Sequence, residues 1–145
     1  MKSMPVKVVL SIIVLCNVIG FGILFITKST IFQNVTFSEN LSNLGSSLVT
    51  YSTAMMALLI AMVMVLFGAD DSKLNNFKKS GYLHATYLLY MVTFFELGLT
   101  MAFSLLCMSN IQSVKVASYS LTFALITFLL ICLLGFQLIM LKKNN

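Results

Sequence analysis

Residues 81–108 read GYLHATYLLYMVTFFELGLTMAFSLLCM, a run with a single acid, Glu96, and no lysine or arginine. As an α-helix it is longer than the ~20 residues needed to cross the ~30 Å hydrocarbon core of a bilayer. A membrane β-barrel strand would instead alternate apolar and polar residues over ~10 positions. Within the run, Thr86, Thr93, Glu96, Thr100, Ser104 and Cys107 follow steps of three, four or seven, which places them on one stripe of a helix. Tyr87, Leu88, Tyr90, Met91, Phe94, Leu97 and Met101 are expected on the opposite, apolar side.

Three further runs of the same kind, residues 8–27, 48–69 and 118–141, complete a reading of four spans. Lys2 and Lys7 precede the first, but its length and the lack of a small-x-small cleavage pattern favour a span over a signal peptide. Only 9% of the 145 residues are charged, 59% are hydrophobic, and the mean hydropathy is +1.00. Soluble domains carry about 25% charged residues because their surface faces water. The expected fold is therefore an all-α membrane protein, with residues 1–145 forming one four-helix transmembrane domain and no room for a separate soluble module. This excludes an extramembrane catalytic domain and direct nucleic-acid binding as the reason for a net charge of +5.

All nine basic residues are lysines, and they give the expected orientation. With both termini inside, Lys2, Lys7, Lys73, Lys78, Lys79, Lys142 and Lys143 lie on the cytoplasmic side, against Lys28 and Lys115 outside. Lys73, Lys78 and Lys79 lie on the inner loop and are candidates to face a cytoplasmic partner. Cys16, Cys107 and Cys132 each fall within a span without CxxC spacing, which argues against a disulfide frame or a metal site. No nucleophile–base pair, P-loop or metal-ligand cluster is present, so neither enzymatic chemistry nor a cofactor is expected.

An acid at the centre of a span costs ~2.5–3.5 kcal/mol even on the lenient insertion scale. Glu96 must therefore stay protonated, or face water or a hydrogen-bond donor within a helix assembly. Hydroxyls in membrane helices more often mark helix packing than a pore, because they bond back to the preceding turn. Glu96 changes the reading, since intramembrane acids default to ion paths, relays or gates. The candidate path residues are thus Glu96, Thr93, Thr100, Ser104 and Thr86. In the second span Ser47, Thr50, Ala54, Ala57, Ala61 and Gly68 form a small-residue seam for close approach of another backbone, either the third helix or a second subunit. Asn17 and Gln137 are expected to hydrogen-bond between helices. Four helices fill their own interior with side chains, so a water-lined Glu96 implies a homo-oligomer.

Between residues 37 and 98 the chain also carries a pattern of specific residues. It comprises Phe37-Ser38, Leu44-Gly45, Leu48, Tyr51, Met55, Ala57, Leu59-Ile60-Ala61, Leu66, Gly68, Leu74, Gly81-Tyr82, Tyr90, Phe94 and Glu96-Leu97-Gly98, and Phe136-Gln137-Leu138 matches near the C-terminus. This pattern resembles the RexB family, small four-span inner-membrane proteins of lambda-type phage exclusion. At the level of size and topology the chain is also similar to KwaA, the membrane subunit of the Kiwa defence system.

The RexB resemblance implies a membrane effector of anti-phage defence, active in superinfection exclusion or abortive infection, that forms or gates an ion-conducting homo-oligomer and depolarises the inner membrane. It also implies a co-encoded cytoplasmic sensor, RexA-like or, on the Kiwa resemblance, KwaB-like. Glu96 falls where the family has its intramembrane acid. The alternative is a non-conducting scaffold or sensor subunit whose inner lysines recruit the cytoplasmic partner while Glu96 only fixes helix packing.

Overall fold

The computed structural model describes residues 4–26, 39–68, 81–110 and 113–143. These form four helices: α1 (Met4–Ile26), α2 (Leu41–Phe67), α3 (Tyr82–Met108) and α4 (Val114–Lys143). All four are long and apolar enough to cross a membrane. α1, α2 and α4 extend beyond the purely apolar run at one or both ends, whereas α3 keeps within it. α2 begins seven residues before the expected span, at Leu41, because Ser42, Asn43, Ser46 and Ser47 continue the helix although they are poor membrane residues. At the start of α3, Gly81 has φ 80°, a left-handed conformation that a side chain would strain.

Contacts between the helix ends fix the topology. Thr86 near the start of α3 meets Gln137 near the end of α4, and Ser104 near the end of α3 meets Ser120 near the start of α4. Gly45, early in α2, lies against Ser104 and Met108, late in α3. Phe21, late in α1, meets Phe123, early in α4, and Val9, early in α1, lies beside Phe136, late in α4, so all four helices alternate in direction, an up-down-up-down bundle. α3 and α4 form the central pair, and both α1 and α2 pack on it. Among the described residues α1 and α2 make no contact with each other.

The bundle interior is built from Leu59, Leu66, Leu89, Leu97, Ile126, Leu130 and Leu134, each buried almost completely. Its outer surface is equally apolar: Phe25, Met64, Met91, Phe95 and Ile139 are all turned outward. Such a surface suits hydrocarbon rather than water. α2 and α3 approach backbone to backbone at Gly45. A Cβ on Gly45 would lie 2.6 Å from the carbonyl oxygen of Ser104, so only glycine lets the two backbones come this near.

The apolar side of α3 is narrower than the sequence suggests. Tyr87, Met91 and Phe94 face outward as expected, but Leu97 and Tyr90 are buried. The reason is that α3 touches all three other helices, so its covered arc extends well past the hydroxyl stripe.

Candidate functional site

The stripe read from the sequence faces the interior of the chain's own bundle. Thr86, Thr93, Glu96, Thr100, Ser104 and Cys107 are all buried. Most of the hydroxyls are satisfied locally. Thr93 Oγ1 donates to the Leu89 carbonyl at 2.7 Å, Thr100 Oγ1 to the Glu96 carbonyl at 2.8 Å and Ser104 Oγ to the Thr100 carbonyl at 2.6 Å. Each is a bond back to the preceding turn, the mode that lets hydroxyls sit in an apolar interior. Ser104 Oγ also lies 2.7 Å from Ser120 Oγ of α4, a contact in which either hydroxyl can donate, and Ser120 Oγ itself reaches the Thr100 carbonyl at 3.3 Å. Thr86 reaches across to Gln137 Oε1 at 3.4 Å.

Glu96 differs from the hydroxyls. Its Oε1 accepts a hydrogen bond of 3.0 Å from Asn17 Nδ2 of α1, and Asn17 Nδ2 also lies 3.1 Å from the Ile13 carbonyl. Oε2 is buried and has no hydrogen-bond partner among the described residues. The residue as a whole is 6% exposed. A buried polar atom left without a partner costs about 1–3 kcal/mol, more if the group is charged. The carboxyl is thus held at one oxygen by an inter-helix amide, while the other keeps its full capacity for a proton, water or a cation. Sequence reading anticipated inter-helix bonding by Asn17 and Gln137 but did not pair Asn17 with Glu96. Nothing in a one-dimensional pattern links two polar residues 79 positions apart.

A second polar contact lies on the other flank. Tyr51 of α2 donates to the Ala124 carbonyl at 2.9 Å and lies 3.3 Å from Thr127 Oγ1, both on α4. The pairing of Thr86 with Gln137 and of Ser104 with Ser120 sets a register in which Thr127 stands opposite Leu97, near the level of Glu96. Sequence reading did not assign Tyr51, Ser120 or Thr127 to a site. A tyrosine in an apolar helix with hydroxyls on another span was the available signal, since a buried phenol usually finds an acceptor.

The other expected elements are placed as follows. Ser47, Thr50, Ala54, Ala57, Ala61 and Gly68 all face outward, away from α3, whereas Leu41, Gly45, Leu48, Ser52, Leu59 and Leu66 form the buried face of α2. The third helix of the same chain therefore does not occupy the small-residue seam. Cys16 and Cys107 are buried, Cys132 is exposed, and all three thiols are free. Lys73, Lys78 and Lys79 lie outside the described residues.

The family model of RexB, described as "Membrane-anchored ion channel, Abi component", matches residues 4–145. The chain is also 32% identical over 111 residues to the protein rexB of Escherichia phage lambda, covering 77% of each. No solved structure matches.

Proposed function

The chain belongs to the RexB family, a family of membrane-anchored ion channels that are components of abortive infection, and we propose that within it Glu96 is the acid of the ion path. It is a multi-pass membrane protein. On this reading it is a non-enzymatic effector of the bacterial inner membrane that dissipates the membrane potential when a co-encoded cytoplasmic partner signals infection. The observation that carries the reading is the free Oε2 of Glu96, buried in an interior where the stripe hydroxyls Thr93, Thr100 and Ser104 each bond the preceding turn. An interior acid serving only as packing would be expected to have both oxygens engaged.

Thr86, Thr93, Thr100 and Ser104 continue the polar face on either side of Glu96 and are its companions along the path. The bundle is filled at this level by Leu97, Ile126 and Leu130, so conduction needs a rearrangement of the helices, or several chains, to admit an ion. The outward seam of α2, from Ser47 to Ala61, is the face we assign to contact between copies. The inner lysines Lys73, Lys78 and Lys79 are assigned to the cytoplasmic partner.

The test is conductance of the purified protein in planar bilayers. Glu96→Gln keeps the size and one acceptor oxygen but cannot carry charge, so currents should vanish or change selectivity. Unchanged currents would remove Glu96 from the path.

A further inference from the structure

α1, like α2, is a flanking helix. It touches α3 and α4 but not α2, and most of its side chains are turned outward, Val8, Val14, Leu15, Val18 and Phe25 among them. Val9 and Cys16 of α1 are buried in the core, and Val6, Ile12 and Ile13 pack against it half-buried. Phe21 sets its ring edge-on to Phe123 of α4, with centroids 6.0 Å apart. A groove of about 270 Å³, open on one side, runs where Val9 and Ile12 face Leu89, Leu133, Phe136 and Gln137. Further along, Gly20 lies directly against the Ile126 side chain of α4, so α1 is close to α4 at one end and grooved at the other. Across it runs one inter-helix side-chain hydrogen bond among those described, Asn17 to Glu96.

The covering helix therefore lies on the acid and is held to it, among the described side chains, by a single amide. We propose that α1 is a displaceable lid over Glu96 and that Asn17 is the positioning residue that latches it. With the lid seated, the carboxyl is shut off from both aqueous sides. When α1 leaves the α3–α4 face, Glu96 loses its amide and the stripe from Thr86 to Ser104 gains an open side. This rests on the reading of Glu96 as the path acid. It adds that the path opens at the α1 flank, while α2, α3 and α4 stay together as the body.

The structure supplies a lock. A Cβ on Gly20 would lie 3.8 Å from Ile126 Cβ, the mean Cβ separation of a disulfide. Replacing Ile126 also removes the Cγ1 and Cδ1 atoms that would otherwise meet that Cβ. The experiment uses the full chain with Gly20→Cys and Ile126→Cys in a Cys132→Ala background. It is reconstituted in phosphatidylethanolamine–phosphatidylglycerol liposomes, with the potential set by valinomycin and followed by a dye. Reduced protein should dissipate the potential, and oxidation should slow dissipation at least tenfold, reversibly on adding reductant. Because one sample serves in both states, misfolding cannot produce this reversible difference.

In a second arm, Asn17→Ala in the native sequence should raise the resting leak at least about threefold. Equal leak from locked and reduced protein, with confirmed cross-linking, overturns the lid even though the protein conducts. A leak from native protein that Glu96→Gln leaves unchanged overturns the path reading, and the lid falls with it.

Discussion

α1 and α2 flank the same pair of helices, yet they are joined to it in opposite ways. α2 meets α3 backbone to backbone at Gly45, and its polar side chains are engaged: Tyr51 bonds Ala124, and Ser52 bonds the Leu48 carbonyl at 2.8 Å. α1 meets α3 beside an open groove, through one amide, above a carboxyl with a free oxygen. In a bilayer, where lipid tails are as apolar as leucine, helices associate through close packing and hydrogen bonds rather than through water exclusion. By that measure the α2 flank is joined to α3 by backbone approach, whereas the α1 flank is joined to it by a side-chain bond at the one acid of the spans.

This contrast is broken most directly at Glu96. Glu96→Met keeps the volume, removes the orphan oxygen and gives Asn17 no acceptor on α3. Losing the orphan oxygen gains about 1–3 kcal/mol, and leaving one Asn17 N–H without its acceptor costs a similar amount. Conductance should drop at least tenfold, while resistance to unfolding in detergent changes by less than about 1 kcal/mol. Loss of current together with loss of stability would mean that the acid supports the fold and that the two flanks do not differ as described.

Gly45→Val tests the α2 flank. Its branched side chain would press on the Ser104 carbonyl and on Met108, and overpacking of this kind typically costs about 1–3 kcal/mol. Thermal unfolding in mild detergent should report that loss. Gly22→Ala on α1, where a Cβ would meet nothing within 4 Å, should change little in the same measurement. Equal effects would erase the distinction between the two flanks.

The smallest effect is expected inside the stripe itself. Thr100→Ala removes a bond confined to one helix, Thr100 Oγ1 to the Glu96 carbonyl, and membrane hydrogen bonds average only about 0.6 kcal/mol. Stability should change by roughly that amount or less. A much larger loss would show that the hydroxyls join helices rather than line one.

How much of this was legible in the sequence follows from what periodicity can and cannot encode. The third span was read as 81–108, and α3 runs from Tyr82 to Met108. An uncharged run of that length in a charge-poor chain has few other places to go. The stripe from Thr86 to Cys107 was legible for the same geometric reason, and every member of it is buried. What the stripe faces was not legible, because a helical period identifies a side of a helix and not its neighbour. The same limit applies to the seam from Ser47 to Gly68, whose small residues point away from α3. The buried face of α2 is carried by Gly45 together with leucines at 41, 48, 59 and 66, and leucines occur on lipid-facing surfaces as well. The Asn17–Glu96 bond lay further out of reach, since it depends on the depth at which two distant spans are set side by side.

The chain order of the helices gives that bond a role during synthesis. Asn17 enters the bilayer with the first helix, whereas Glu96 arrives 79 residues later with the third. The amide donor is thus made before the acid that it serves, so the carboxyl enters hydrocarbon with its partner already present in the chain.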